Sequence, residues 1–275
     1  MAYKRILTIQ DISCVGQCSM TVALPVLSAC GHETCILPTA LLSTHTGGFG
    51  KPEVVHFDAV LEEIWQHWKR NDITFDAILV GYLGSVQAVR VAADIIGQML
   101  SPDGISIVDP AMADHGRLYS GLSQEYALAM QELCSRADII LPNVTEAAMF
   151  AGLPYPDRLT QAVVEQLLQA QAHPCVILTG VGYEEGETGI CLFADGRFQR
   201  YSHRKLGKSY HGTGDLFAAC FAGALMQGKE RLEAVEIAAD FVCEAIRRTL
   251  ENPAHWYGVK FEEALPWLIR RLNER

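Results

Sequence analysis

The chain has 275 residues, of which 49% are hydrophobic, and its 22 Lys and Arg against 32 Asp and Glu give a formal net charge of −10. This length and hydrophobic content suit a single large α/β domain. The acidic balance, without a basic patch, argues against nucleic acid as the main partner, although a local helix terminus can still hold phosphate groups.

The cysteines and the apolar stretches indicate the cellular setting. The nine cysteines are scattered, odd in number and without a Cys-x-x-Cys pair, which predicts reduced thiols and neither a disulfide framework nor a zinc site. The amino terminus lacks the pattern of a signal peptide, and no apolar run approaches the ~20 residues that span a bilayer. We therefore expect a soluble, cytoplasmic protein without a membrane partner.

Short apolar strands alternate with helical patterns along the chain. The predicted strands are residues 5–10, 34–38, 76–81, 105–108, 138–141, 175–178, 188–193 and 197–203. The predicted helices are residues 20–30, 57–69, 85–100, 122–134, 145–151, 160–170, 215–227, 231–249 and 261–272, and residues 39–52 are a predicted loop. The alternation indicates βαβ units around a mostly parallel sheet, and the absence of a linker or repeat indicates one domain over residues 1–275.

Polar residues gather where predicted strands end. Asp11, Asp109, Asn143 and Thr179 each stand directly after or close to such an end. Ligands of open parallel sheets bind at the carboxyl ends of the strands. The sequence therefore predicts a ligand site along that edge of the sheet.

The stretch Gly212-Thr213-Gly214-Asp215 leads into a helix that is apolar on all sides. The first turn of a helix has free amides and the positive end of the dipole, and glycine allows close approach of an anion. An anion site with one carboxylate at its edge suits phosphoryl transfer, with Asp215 as the base. The alternative is that Asp215 only complements the helix dipole.

Two acidic motifs are candidates for metal binding. Asp109 and Asp114 follow one strand and could hold Mg²⁺, usually through water, or could cap loop amides. Asn143 and Glu146 follow the next strand and could orient metal-bound water, or could form a helix capping box.

Further candidates flank these motifs. Thr179 and Gly180 could donate to a phosphate oxygen, and Lys205 and Lys208 could neutralise phosphates or belong to a solvated basic loop.

A loop histidine and a strand-end tyrosine complete the set. His45, in a loop of Thr and Gly, has no second ligand at metal spacing and is interpreted as a hydrogen-bonding group. Tyr82 could belong to the core or offer its ring to a flat ligand.

Together these motifs resemble the ribokinase-like superfamily of small-molecule kinases and, within it, most closely the pyridoxal kinases. The matching pieces are Ile9-Gln10 with Gly16, Ser43-Thr44-His45-Thr46, Gly81-Tyr82-Leu83-Gly84-Ser85, Asp109-Pro110-Ala111-Met112, Pro142-Asn143-x-x-Glu146 and Gly212-Thr213-Gly214-Asp215. They spread over residues 9–215 in the family's order. Gly-x-Gly-Asp and Asn-x-x-Glu mark the superfamily, whereas Gly-Tyr-Leu-Gly-Ser and Thr-His-Thr indicate the vitamin B6 branch.

The resemblance implies a fold, partners and roles. It implies a three-layer α/β/α sandwich, ATP and Mg²⁺, often a monovalent cation such as K⁺, and a homodimer. In the implied chemistry, Asp215 is the base, and the anion hole is formed by Gly212, Thr213 and Gly214. The implied metal and nucleotide contacts are Asn143 and Glu146 supporting Mg²⁺, Asp109 and Asp114 near the metal and phosphates, and Thr179 on ATP. The implied pyridine pocket is lined by Tyr82, His45 and Thr46.

The chain departs from the family pattern at Asp11, where the family usually has Ser. One hypothesis is that Asp11 contacts the substrate ring, because an ionised Asp accepts hydrogen bonds but cannot donate one. The other is that Asp11 caps the amide of Ser13 or Cys14 in an Asx turn. Further departures are Gly16-Gln17, where the family often has Gly-Asn, and residues 204–211.

The implied activity is ATP-dependent phosphorylation of the 5′-hydroxymethyl group of pyridoxal, pyridoxine or pyridoxamine. The first alternative is a hydroxymethylpyrimidine kinase, with the same chemistry on another flat ring. A sugar kinase is less favoured because the sequence leaves little room for a β lid. A non-catalytic nucleotide- or vitamer-binding regulator is the alternative of another class.

Overall fold

A nine-stranded sheet forms the centre of the computed structural model, which describes residues 3–207 and 210–274. Its strands are β1 Arg5–Ser13, β2 Glu33–Leu42, β3 Val54–His56, β4 Phe75–Val80, β5 Leu100–Val108, β8 Ile139–Ile140, β9 Cys175–Thr179, β10 Glu187–Ala194 and β11 Arg197–Arg204, and a separate ribbon contains β6 Ala113–Asp114 and β7 Arg117–Leu118. The order is β11-β10-β9-β8-β5-β4-β1-β2-β3. Neighbours from β9 to β2 are parallel, and β3, β10 and β11 are antiparallel.

Helices cover both faces of this sheet. They are α1 Met20–Ala29, α2 Asp58–Arg70, α3 Val86–Met99, α4 Gln124–Arg136, α5 Val144–Phe150, α6 Gln161–Ala170, α7 Thr213–Met226, α8 Arg231–Leu250 and α9 Leu265–Asn273. One core lies between the sheet and α1, α7, α8 and α9, and the other lies between the sheet and α2 to α6. The three-layer α/β/α prediction is therefore confirmed. Among these helices, none is both long and apolar enough to cross a membrane.

Several boundaries differ from the sequence prediction. The first strand continues to Ser13, so Asp11 lies inside β1 and not directly after it. The predicted loop at residues 39–52 is shorter, because β2 continues to Leu42 and pairs with β3. The strand predicted from residue 105 begins at Leu100, which pairs with Phe75 across a register shift. The last helix begins only at Leu265, with Pro266 in its first turn, where proline is tolerated.

The strand order creates a switch point at β1. The chain places β2 on one side of β1 and then returns to place β4 on the other side. Backbone hydrogen bonds join the ends of adjacent strands, from Asp11 N to the Tyr82 oxygen at 3.0 Å and from Asp109 N to the Val80 oxygen at 2.9 Å. The loops that carry the predicted site residues therefore lie in a row at the carboxyl edge, where open sheets bind ligands.

Candidate active site

Gly212 shapes the amino terminus of α7. Its φ of 78° is left-handed, and a Cβ there would lie 2.2 Å from the Gln17 carbonyl oxygen, so only glycine fits without movement. The Leu216 amide donates to the Gly212 oxygen at 2.9 Å, which leaves the amides of Thr213, Gly214 and Asp215 without a partner inside the helix. Free amides and the positive end of the helix dipole make this turn, residues 212–215, a candidate anion site, and we call it the anion turn.

The Asp215 carboxylate lies at the edge of that turn and is half-buried. Its Oδ2 accepts a hydrogen bond from the Ser19 amide at 2.9 Å, a contact that joins the start of α1 to the start of α7. Burial raises the pKa of Asp215, and the Ser19 amide opposes the rise. One oxygen is thus fixed by the backbone, and the other is available to take a proton from an incoming hydroxyl.

Asp109 lies beside the same turn. Its Oδ1 accepts from the Ala111 amide at 3.1 Å, and a Cβ built on Gly214 would lie 3.9 Å from its Oδ2. Burial and the negative charges of Glu146 and Asp215 raise the pKa of Asp109 well above its ordinary value. One oxygen of Asp109 therefore caps the loop, as one interpretation of the sequence predicted, and the other oxygen lies near Gly214 at the start of α7.

Asn143 and Glu146 form the capping box that the sequence offered as an alternative. Glu146 N donates to Asn143 Oδ1 at 3.0 Å, and Asn143 N donates to Glu146 Oε2 at 2.9 Å. Glu146 Oε1 also accepts from the amides of Met112 at 2.8 Å and Ala113 at 3.3 Å. Burial raises the pKa of Glu146 to about 7. Because backbone amides occupy both of its oxygens, Glu146 braces the loop that carries Asp109.

A cation at this position would be held only partly by the protein. In the ranges that the structure describes, no three His, Cys, Asp or Glu side chains are grouped as metal ligands. Asp114 is exposed and its Oδ1 accepts from the His115 amide at 2.7 Å. Asp109 Oδ2 fits Mg²⁺, an ion that commonly binds through one or two carboxylates and takes its other ligands from phosphates and water.

The nucleotide-side candidates lie along the same edge. Thr179 ends β9 and its amide donates to the Pro142 oxygen at 3.0 Å, while Gly180 has a φ of 75°. Lys205 follows β11 and is exposed. Lys208 lies outside the described residues.

On the other side of Asp215, a loop carries His45 and Thr46. The His45 and His211 rings are 4.7 Å apart at 46°, so this loop packs against the residue that precedes the anion turn. Burial, with His211 nearby, lowers the pKa of His45. Thr46 is exposed. Tyr82 is partly buried, and burial together with the charge of Asp11 raises the pKa of its phenol.

Asp11 lies inside the protein, with 3% exposure. Its Oδ2 accepts from the Ser13 hydroxyl at 3.3 Å, and its Oδ1 is enclosed without a hydrogen-bond partner within the described ranges. The Cys14 amide donates to the Leu42 oxygen instead, so the Asx turn onto Cys14 is wrong. Burial raises the pKa of Asp11 to about 6, and the charge of Asp215 contributes to the rise.

Comparison with known proteins decides the family. The family model described as phosphomethylpyrimidine kinase matches residues 21–259. The chain belongs to this family. It is 31% identical over 186 residues to a hydroxymethylpyrimidine/phosphomethylpyrimidine kinase of Haemophilus influenzae. The aligned region covers 66% of this chain and 68% of the relative.

Solved structures show the same fold. The pyridoxal kinase of Lactobacillus plantarum superimposes with a TM-score of 0.90 and 35% identity, over 98% of each chain. A Bacteroides thetaiotaomicron protein, assigned to the phosphomethylpyrimidine kinases and crystallised with pyridoxal, gives a TM-score of 0.91 and 32% identity, over 97% of this chain and 96% of the other. The ribokinase-like fold is thereby confirmed, and the chain is a kinase of the group that contains pyridoxal kinases and hydroxymethylpyrimidine kinases.

Three contacts of this kinase site were not expected from sequence. The Ser19 amide on Asp215 joins residues 196 positions apart, and nothing local to Ser19 indicates it. The ring of His211, directly before Gly212, contacts the ring of His45, a residue far away in sequence. The Tyr119 amide donates to the oxygen of Met112 at 2.8 Å, and the amide of Met112 binds Glu146, so Tyr119 lies next to the loop that Glu146 braces.

Asp11→Asn should change the pH dependence of stability. Because the folded pKa of about 6 exceeds the ordinary 3.8, the folded chain binds the proton more tightly, and stability is lost as the pH rises from about 4 through about 6. Asn removes the buried charge, so we expect a gain of about 3 kcal/mol in the free energy of unfolding at pH 8 and a much smaller one at pH 4. Denaturant titration at both pH values measures this, with the exposed Asp103→Asn as control. An equal effect of Asp11→Asn at both pH values would contradict it.

Glu146→Gln should lower stability and raise the Mg²⁺ requirement together. A glutamine NH₂ cannot accept from the amides that bind Glu146, and one unsatisfied buried donor costs about 1–3 kcal/mol. The loop that carries Asp109 then shifts. Melting temperature and a Mg²⁺ titration of activity test this, with the exposed Glu185→Gln as control. If the melting temperature fell while the Mg²⁺ dependence of activity stayed unchanged, Glu146 would act only as a helix cap.

Proposed function

We propose that this kinase transfers the γ-phosphoryl group of ATP to the 5′-hydroxymethyl group of pyridoxal, pyridoxine or pyridoxamine. The observation that carries the proposal is the pairing of Asp215 with the open anion turn of α7. The carboxylate lies at the carboxyl edge, between the nucleotide-side loops and the loop of His45. This arrangement favours catalysis over a regulator that only binds, because the base and the anion hole are assembled together.

The chain's own groups account for in-line transfer. The amides of Thr213, Gly214 and Asp215 stabilise the negative charge that develops on the transferring phosphoryl group. Asp215, whose Oδ2 is fixed by Ser19, accepts the hydroxyl proton as the new O–P bond forms and the bond to the leaving ADP oxygen breaks. Burial raises the pKa of Asp215 and makes its ionised form a stronger base.

Bound Mg²⁺ would supply positive charge to the phosphates. We propose Asp109 as its carboxylate contact, with Glu146 and Asn143 holding the loop behind Asp109 and Asp114 at its exposed side. Thr179 and Gly180 are proposed to contact ATP, and Lys205 and Lys208 to neutralise its phosphates. A monovalent cation such as K⁺ and a homodimer remain expectations from the resemblance.

The proposal of a vitamin B6 substrate depends on the side of the site that faces away from the proposed ATP contacts. His45, Thr46 and Tyr82 form the proposed ring pocket. The Asp11 amide donates to the Tyr82 oxygen at 3.0 Å, and the charge of Asp11 raises the pKa of the Tyr82 phenol. The relative crystallised with pyridoxal and the full-length similarity to a pyridoxal kinase support this choice. We place Asp11 behind the pocket wall, because its carboxylate is enclosed.

A hydroxymethylpyrimidine is the second candidate alcohol. The family model and the Haemophilus relative favour it, and the same base and anion turn serve both rings. The two candidates differ in the ring that the loop of His45 must accept.

A panel of alcohols with Mg-ATP tests the proposal. Pyridoxal, pyridoxine, pyridoxamine, hydroxymethylpyrimidine and ribose are each incubated with the kinase, and the products are identified by mass. We expect the highest kcat/KM for a B6 vitamer and no product with ribose. A higher kcat/KM for hydroxymethylpyrimidine would assign the second candidate, and ATP binding without any phosphorylated alcohol would favour the regulator.

A further inference from the structure

The loop of His45 is supported by a segment near the end of the chain. We infer that Trp256 is a positioning residue that holds this loop, residues 43–52, against the site and thereby sets the affinity for the alcohol. The inference deepens the proposed function, because it concerns the ring-binding side of the same site.

Close contacts at glycines show how the loop is seated. A Cβ on Gly16 would lie 2.5 Å from His45 Cβ, and a Cβ on Gly47 would lie 2.7 Å from the His211 ring. A Cβ on Gly48 would lie 2.6 Å from Trp256 Cζ3. The backbone of the loop thus lies directly on three neighbouring segments, and Trp256 supplies the contact at Gly48.

The tip of the loop depends on ring contacts. In the part of the chain that the structure describes, residues 48–52 make no hydrogen bond. The Phe49 ring instead lies 4.6 Å from Trp256 at 44° and 5.1 Å from Tyr257 at 62°. Aromatic pairs in such geometries stabilise beyond their buried area. The rings of Trp256 and Tyr257 therefore hold the tip of the loop in place, whereas hydrogen bonds between Ser43 and Glu53 hold its base.

The supporting segment is itself well anchored. The Lys260 amide donates to the buried Thr249 hydroxyl at 2.8 Å, which fixes the segment to the end of α8. Val259 has no exposed surface, and a Cβ on Gly258 would lie 2.7 Å from Gln17 Cβ. Trp256, half exposed on this fixed segment, can transmit its position to the loop.

Two variants separate positioning from general stability. Loss of the ring in Trp256→Ala should raise the KM for pyridoxal roughly 2- to 10-fold, the range expected for a lost aromatic pair. The KM for ATP and kcat should change less than about twofold, because Asp215 and the anion turn are untouched. Trp256→Phe keeps a ring on Phe49 and should restore most of the affinity.

Phe198→Ala is the matched control. Phe198 is also a partly exposed aromatic residue, 39% exposed with its ring 4.8 Å from Phe193, but its hairpin tip is at the amino end of β9. It should leave both KM values unchanged. If Trp256→Ala raises both KM values equally or neither, or if Trp256→Phe does not restore affinity, the inference is overturned.

Limited chymotrypsin digestion gives a readout without activity. Cleavage after Phe49 should be faster in Trp256→Ala than in the wild type and in Phe198→Ala. If Trp256→Ala were cleaved after Phe49 no faster than the wild type, the inference would be overturned. This result does not depend on whether any alcohol of the panel is phosphorylated. Failure of the wild-type panel with faster cleavage in Trp256→Ala would instead refute the proposed function and leave the loop support standing.

Discussion

Asp215→Asn should lower kcat by about 10²–10⁴, the contribution of a positioned general base. Asn is nearly the same size and can still accept from the Ser19 amide through its carbonyl oxygen, so the start of α7 should keep its shape. The KM for ATP should change little. Because burial raises the pKa of Asp215, wild-type activity should fall as the pH drops through that raised pKa, and the variant should lack this limb.

Asp103→Asn is the control for this prediction. Asp103 is exposed and lies near the amino end of β5, away from the carboxyl edge, so we expect a much smaller loss of rate. Steady-state kinetics from pH 5 to 9, with circular dichroism to verify the fold, make the comparison. An Asp215→Asn enzyme that keeps more than about a tenth of the wild-type kcat would show that another group takes the proton.

Gly212→Ala should have the next largest effect. The methyl group would lie 2.2 Å from the Gln17 oxygen and the left-handed φ of 78° would be strained, so the turn must move. Displacement of a catalytic group by about 1 Å can cost roughly 10²-fold in rate. We expect a loss of kcat of that order together with a lower melting temperature.

Gly228→Ala is a control that introduces backbone strain without displacing the anion turn. Gly228 also has a positive φ, 91°, but a Cβ there would meet nothing within 4 Å, and it follows the far end of α7. It should lose stability yet keep its kcat per folded molecule. If Gly212→Ala also kept its kcat, the anion turn would not be the site of transfer.

Local patterns predicted much of the fold and the candidate residues. Alternating apolar strands and helices predicted the parallel sheet, and Gly212 before an apolar helix predicted the anion turn, because both depend on neighbours in sequence. The end of β2 was missed because its pairing with β3 involves a three-residue strand whose residues are all exposed. Such a strand has no buried face to produce alternation.

The site contacts between distant segments could not be predicted in the same way. The Ser19 amide reaches Asp215, and the Trp256 ring reaches Gly48, only through the packing of whole layers. For Glu146, the sequence allowed both a capping box and a metal role, and the structure contains the capping box. The burial of Asp11 was also hidden, since its place after an apolar strand gives no measure of enclosure.

Transfer of a labelled γ-phosphoryl group is the most direct test of the central claim. Wild type and Asp215→Asn are mixed with labelled Mg-ATP and pyridoxal in a single turnover, and the label is located by mass. The proposal predicts label on the 5′ oxygen of pyridoxal with the wild type and almost none with the variant. Label released only as inorganic phosphate, or equal transfer by both proteins, would contradict it.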